Sequence, residues 1–414
     1  MLAALNERVL PRSHEMNRTR TLRRAAAIAL PALALTLGAV ASAAAKDLKV
    51  ALLYSKSGPL EPYGKQTATG FALGLEYATG GTMMVNGRKL VVIEKDTQGK
   101  PDRGRALLTE AYADDKVEVA VGPTSSGVAL AMLPVAEEFK KILLVEPAVA
   151  DVITGAKWNR YIFRTSRNST QDAISNAVAI DNENTSIATL AQDYAFGRDG
   201  VKAFKEALKK AKVVHEEYLP IKTTDFTAGA QRLFDALKDK PGRKIIFIIW
   251  AGGNPFKIAD LDPKRYGIEI SSGGNILPAL ALYKAFPGME GSIYYYYEIP
   301  KNKENTWLVA EHQKRFKSPP DFFTAGGMSA AIALVDALKK TGGNTDADKL
   351  IATMEGMSFD TPKGKMSFRK EDHQAMQSMY HFKIKVKEGV KWAVPELVRE
   401  IRAEEMNIPI RNKR

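Results

Sequence analysis

The sequence predicts an α/β protein of two doubly wound parallel-sheet lobes. Three observations lead there. The chain has 414 residues, more than one hydrophobic core usually serves, so two lobes are expected. Apolar strand signals and amphipathic helix signals alternate along most of it. Several strands also run straight into turns that open a helix. "VGPTSSGVALAML", Val121 to Leu133, is the clearest case: a Gly-Pro turn, then Ser125 and Ser126, then an apolar helical run.

The alternation begins after an N-terminal segment set apart by composition. From Met16 the chain reads "MNRTRTLRRAAAIALPALALTLGAVASAAAK". Arg18, Arg20, Arg23 and Arg24 form a basic start, and Ala25 to Val40 an apolar stretch too short and Ala-rich for a membrane span. Ala41 to Ala45 offer small-residue cleavage sites. Residues 1–45 are therefore expected to be a secretory signal peptide with a short upstream extension. Arg23-Arg24 raises a twin-arginine export route, which the flanking residues fit poorly.

In the first lobe "DLKVALLYS" reads as a strand, Gly64 to Tyr77 as a helix, "KLVVIEKD" as a strand and Arg103 to Ala113 as a helix. "VEVAVG", a helix over Val128 to Phe139, and the strand "KILLVEP" complete it. The second series has "TSIATLAQD", a helix over Gly200 to Lys210, "VVHEEYLP", a helix over Ala228 to Lys238, and "KIIFIIWAGG". A helix starting at Phe256, the strand "GIEISSGG", a helix over Pro278 to Ala285 and the strand "GSIYYYYEI" follow. Helices are expected over Trp307 to Lys317, Met328 to Lys340 and Asp346 to Glu355. "HFKIKVKEG" is expected to pair with "WAVPELV" as a hairpin. In such sheets ligands bind beyond the carboxyl ends of strands. The segments to watch are Ser55–Tyr63, Gly122–Ser126, Pro147–Asp151, Asp193–Gly197, Trp250–Asn254, Ser271–Asn275 and Tyr294–Glu298.

Composition narrows the function. The chain carries +13. Residues 1–45 hold six arginines and two glutamates, which leaves +9 for the remainder. Its lysines are dispersed, without a basic block interleaved with aromatics, so nucleic acid is a poor partner. A mildly positive field helps gather anionic solutes. There is no cysteine, so neither disulfides nor a lipidated N-terminal cysteine is available. The exported product is expected to be soluble and held in a periplasm.

Enzyme signatures are missing. "GPTSSG" is not followed by Lys-Ser/Thr, no G-x-G-x-x-G opens a helix after the first strand, and no H-E-x-x-H or C-x-x-C occurs. None of the five histidines, His14, His215, His312, His373 and His381, falls in the strand-end segments expected to meet a ligand. No metal, no cofactor and no catalytic residue is expected. Asp193 can serve a cleft, but a turn or cap is its simpler role.

The stretches "VALLYSKSGPLEPYGKQTATGFALGLEYA", "AVGPTSSGVALAMLPVAEEFKKILLVEPAVADVIT" and "QDYAFGRDGVKAFKEALKKAKVV" resemble the branched-chain amino acid (leucine-binding) type of periplasmic solute-binding protein. Those proteins are the extracytoplasmic partners of ABC importers. The resemblance covers Lys46 to about Val398. It implies a type I periplasmic binding fold, with two lobes joined by a three-stranded hinge. The first lobe would hold residues 46–165 and 293–375, the second 166–292 and 376–405, with a tail at 406–414. The crossings would fall near Arg164–Arg167, Gly291–Tyr294 and His373–Met379. A membrane permease and an ATPase would be the partners, and the protein would be a monomer.

The resemblance also implies a site. Ser126, with Ser125 next, matches the hydroxyl that holds a solute carboxylate, with Ala148 and Ala150 on the following loop. Tyr63 matches an aromatic that packs on the solute, and Phe196 a second-lobe position that is often Tyr. Trp250, Asn254, Asn275 and Tyr296 complete the expected set. Two positions depart from the amino-acid binders. Their ammonium-binding Thr is Ala150 here, and their acidic residue falls in "SSGGNIL", at Gly274 and Asn275. An ammonium buried without acceptors or counter-charge is costly. The expected ligand is therefore a small carboxylate, an aromatic acid of benzoate, phenylpropenoate or aryl-oxoacid type. A branched-chain or other amino acid, and a binding module that feeds a sensor, stay open.

Overall fold

The computed structural model describes residues 46–413. The expected signal peptide lies outside these residues.

The first lobe is built on a six-stranded sheet. Its chain order is β1 (Leu48–Tyr54), α1 (Glu61–Ala78), β2 (Met84–Val85), β3 (Arg88–Asp96) and α2 (Pro101–Ala113). Then come β4 (Val119–Val121), α3 (Ser126–Phe139), β5 (Leu143–Val145) and β6 (Ile162–Arg164). The strands lie in the order β2-β3-β1-β4-β5-β6, parallel except for the β2–β3 hairpin. Every residue of β4, β5 and β6 is buried, as expected of strands covered on both faces.

The second lobe starts with α4 (Ser169–Ile180), β7 (Thr185–Gln192), α5 (Ala195–Ala207), β8 (Lys212–Leu219) and α6 (Thr227–Leu237). It continues with β9 (Arg243–Ile249), β10 (Ile268–Ser272), α7 (Leu277–Leu282) and β11 (Glu290–Ile293). Its parallel sheet runs β10-β9-β7-β8. Phe204 of α5 stacks on Phe247 of β9 with ring centres 4.1 Å apart.

Three helices follow: α8 (Lys303–Phe316), α9 (Phe322–Lys340) and α10 (Ala347–Met354). α9 packs along α1. The strands β12 (Ser358–Thr361), β13 (Gly364–Phe368) and β14 (Ala375–Met376) make a small antiparallel sheet. β15 (Met379–Lys385) and β16 (Val394–Ile401) form the expected hairpin, and β15 also pairs with β11. The remaining chain meets the segment after β13 and helix α5 of the second lobe. Arg369 donates to the carbonyl of Ile408 at 2.6 Å, and Arg411 pairs with Glu206 of α5.

The structure departs from the sequence expectation in four places. The strand expected over Gly291–Ile299 stops at Ile293. Tyr294, Tyr295 and Tyr296 are all buried, so no two-residue alternation exists. Their hydroxyls bond in different directions, to the carbonyl of Phe322, to Asn305 and to Trp392. Second, the segment from Pro255 to Leu261 is a 3₁₀ helix rather than the start of an α-helix. Third, α4 has no counterpart among the expected helices, because "SRNSTQDAISNAVAI" shows little apolar periodicity. Fourth, β2, β6 and the small sheet β12–β14 have no counterpart among the expected strands.

Candidate ligand-binding site

Six of the seven strand-end segments meet at one cavity of about 120 Å³. Gly122 shapes its first edge. That residue has φ +124°, and an added Cβ would stand 1.9 Å from the carbonyl oxygen of Leu53, so only glycine fits. The turn that follows delivers Ser125 as N-cap and Ser126 as the first residue of α3. No side chain caps α3, and its first turn holds no acidic residue. Its positive end therefore faces the cavity uncompensated.

Ser126 has a specific geometry. Its Oγ accepts the N–H of Val149 at 3.3 Å and of Ala150 at 3.2 Å. Both lone pairs are used, so its own proton is left to donate. Val149 carries the polar wall onward, because its carbonyl accepts the N–H of Ser169 at 2.9 Å and the hydroxyl of Ser169 at 3.2 Å. Ser169 opens α4, whose Asn168/Gln171 capping box fixes that helix start.

The rest of the lining is largely aromatic. Tyr63 and Phe323 lie 4.7 Å apart, and Phe323 and Phe322 4.9 Å apart, on the first-lobe side. Tyr194, Phe196 and Trp250 stand on the second-lobe side. The hydroxyl of Tyr63 accepts the N–H of Gly252 at 2.8 Å. Burial raises the phenol of Tyr63 above its ordinary range, and the Gly252 bond opposes this.

Charged groups gather at the base. Arg167 donates from Nε to Asp172 Oδ1 at 3.1 Å and stands over the rings of Tyr294 and Phe322 at 4.9 and 5.1 Å. Burial raises the carboxyl of Asp172, and Arg167 holds it down in part. Lys363 is wholly enclosed and burial lowers it to about 8, with Glu146 opposing the shift. Burial likewise raises Glu146. Of these four charged groups only Arg167 and Asp172 line the cavity; Lys363 and Glu146 lie outside its lining.

Of the residues singled out in the sequence, Tyr63, Ser126, Ala148, Phe196, Trp250 and Asn275 line the cavity. Four do not. Ser125 is buried at the helix cap. Ala150 is buried, with its carbonyl taken by Arg164 at 2.7 Å. Asn254 accepts the N–H of Phe256 at 3.1 Å and caps its own turn. Tyr296 turns its hydroxyl to Trp392. Sequence reading missed the cavity residues Arg167, Asp172 and Asn176. The usable signal was Asn168 with Gln171 three residues later, which marks a helix start.

Residues 47–390 match the family model described as "Periplasmic binding protein". The chain belongs to that family. It resembles the Leu/Ile/Val-binding protein homolog 6 of Brucella abortus (strain 2308), at 26% identity over 85% of this chain and 91% of the relative. A solved ABC-type branched-chain amino acid transporter from Rhodopseudomonas palustris CGA009 is 70% identical, covers 89% of this chain and 100% of its own, and superposes with a TM-score of 0.78. A solute-binding protein of an ABC transporter from Rhodopseudomonas palustris BisB5, solved with 3,4-dihydroxybenzoic acid, is 30% identical at a TM-score of 0.77. It covers 86% of this chain and 98% of its own. The periplasmic binding protein described here is a type I fold and an ABC-type solute-binding protein. Its family is one of periplasmic binders rather than enzymes, working with a permease and an ATPase.

Proposed function

We propose that this periplasmic binding protein captures a small aromatic carboxylate and presents it to an ABC importer. The observation that carries the reading is Ser126. Its hydroxyl is pinned by two backbone N–H groups and left to donate, at an uncapped helix start that opens into an aromatic-walled cavity. A carboxylate gains charge-assisted hydrogen bonds there, and rings fill the rest. Size does not discriminate. One water needs about 10–15 Å³ on this scale, so about 120 Å³ suits a molecule of about ten non-hydrogen atoms. Benzoate-type acids and leucine are both of that size. Similarity to a dihydroxybenzoate complex supports the aromatic reading.

Asp172 favours a second reading, an amino acid, because it puts a carboxyl in the cavity that the sequence did not lead one to expect. Arg167 counters it. The guanidinium already neutralises Asp172 at 3.1 Å and repels an ammonium brought beside it. A thermal-shift and calorimetric panel of aromatic acids and branched-chain amino acids decides. A ligand bound only by the folded state raises Tm by mass action. Stabilisation by benzoate-type acids with no response to leucine or valine supports the proposal, and the reverse pattern overturns it.

Export belongs to the same reading. Cleavage after Ala43 or Ala45 would release a soluble, monomeric periplasmic chain. The two lobes would close on the ligand by rotation about the crossings near residues 164–167, 291–294 and 373–379. N-terminal sequencing of the exported protein and small-angle scattering with and without ligand test these two points.

A further inference from the structure

Arg167 is 8% exposed and lines the cavity. Asp172 fixes its Nε, and two rings fix its plane. Among the described residues its two terminal nitrogens make no hydrogen bond. A buried guanidinium rarely leaves such donors unmatched. Asp172 is in a similar state. Its Oδ1 meets Arg167, its Oδ2 has no partner among the described residues, and its side chain keeps 29% of its surface exposed while lining the cavity. The pair therefore presents donors and an acceptor side by side, with no net charge.

That combination selects a chemistry. A second carboxylate would meet the donors but would stand against Asp172. An ammonium would meet Asp172 but would stand against Arg167. An apolar ring edge would leave both unpaired. A hydroxyl satisfies both, accepting from a terminal nitrogen of Arg167 and donating to Oδ2 of Asp172. The station lies on the wall that starts at Ser126. Val149 joins Ser126 to Ser169, and Asp172 follows Ser169 by three residues, about 4.5 Å along α4.

We infer that the Arg167–Asp172 pair is a specificity station that reads a ring hydroxyl on an aromatic acid whose carboxylate sits at Ser126. The inference rests on the aromatic-acid reading above. A site built to bond a hydroxyl rejects the analogue that lacks it, because its own polar groups are then left unpaired.

The test is calorimetry on the mature chain with benzoate, 3-hydroxybenzoate, 4-hydroxybenzoate and the methyl ethers of the two phenols. At least one phenol binds about tenfold or more tighter than benzoate, and its methyl ether loses that advantage, having no proton for Asp172. In Arg167→Gln the preference falls to about threefold or less. Equal binding of benzoate and both phenols overturns the assignment, as do ethers that match the phenols. A folded Arg167→Gln protein that keeps the full preference overturns it too. Each of these leaves the aromatic-acid reading standing. If leucine or valine binds and none of the aromatic acids does, the assignment and the reading beneath it fall together.

Discussion

The hydroxyl of Tyr63 on α1 and the backbone N–H of Gly252 beyond β9 meet at 2.8 Å, so one hydrogen bond ties the two lobes across the cavity. Tyr63 also packs on Phe323. Its ring is a wall of the site and its hydroxyl a latch between lobes. Tyr63→Phe keeps the wall and removes the latch. A net hydrogen bond is worth about 0.5–1.5 kcal/mol, so affinity for the ligand should fall about threefold to tenfold. Calorimetry reads the loss. A Tyr63→Phe protein with unchanged affinity would show that the latch plays no part in the bound state.

Ser126 is expected to matter more. Ser126→Ala removes a donor to a charged group, which costs about 1.5–3 kcal/mol of binding, or about tenfold to hundredfold. It also strips the N–H groups of Val149 and Ala150 of their acceptor. Stability should therefore drop as well, by about 1–3 kcal/mol for each N–H left buried and unpaired. Ser126→Thr keeps the oxygen and should recover most of both. Denaturant midpoints and calorimetry on the two variants separate the effects.

The sequence carried the first-lobe half of this site more openly than the other half. "VGPTSSG" showed Ser126 at a strand-to-helix handover, because glycine, proline and hydroxyl residues have strong local preferences. The strand ends were legible for the same reason. Arg167, Asp172 and Asn176 were not, since they sit around a helix whose residues are mostly polar or small. Its cavity-facing side is polar, so the hydrophobic pattern that marks a helix is weak there. The tyrosine run misled in the opposite way. Aromatic residues favour strands, but each of three tyrosines follows its own hydroxyl partner into the core. Ala150 and Asn254 fell at strand ends, where position alone suggested ligand contact, and turned out to be used by the backbone around them.

Close approach of α1 and α9 leads to a prediction about folding alone. A Cβ added at Gly70 would lie 1.9 Å from the carbonyl oxygen of Thr324. The contact is backbone, so no side chain can swing away. Gly70→Ala gains about 1 kcal/mol of helix propensity. Forcing the helices apart costs about 3 kcal/mol or more, so destabilisation wins. The denaturant midpoint should fall sharply with little change in slope. An unchanged midpoint would mean that the helices separate freely.

Asp321 makes stability depend on pH. It caps α9, accepts the N–H of Phe322 at 2.7 Å, and takes Leu277 N–H of the second lobe at 2.9 Å and Gln66 at 2.8 Å. Burial pushes its carboxyl up to about 6, and those hydrogen bonds only partly offset the rise. An unfolded chain returns it to about 3.9. Between these values the native state holds a proton that the unfolded state has released. Stability is then highest below about pH 4 as far as this group is concerned, and falls as pH rises through 6. A gap of that size between the folded and unfolded values corresponds to about 3 kcal/mol at most. Asp321→Asn keeps an acceptor for the N–H groups and abolishes the titration. The stability of that variant relative to the parent should therefore climb between pH 4 and 6 by up to about 3 kcal/mol and then level off. Urea denaturation of both proteins at half-unit pH steps measures the difference directly. A difference flat across that window would mean that Asp321 ionises in the native state as readily as in the unfolded chain, and that its hydrogen bonds cancel the cost of burying its charge.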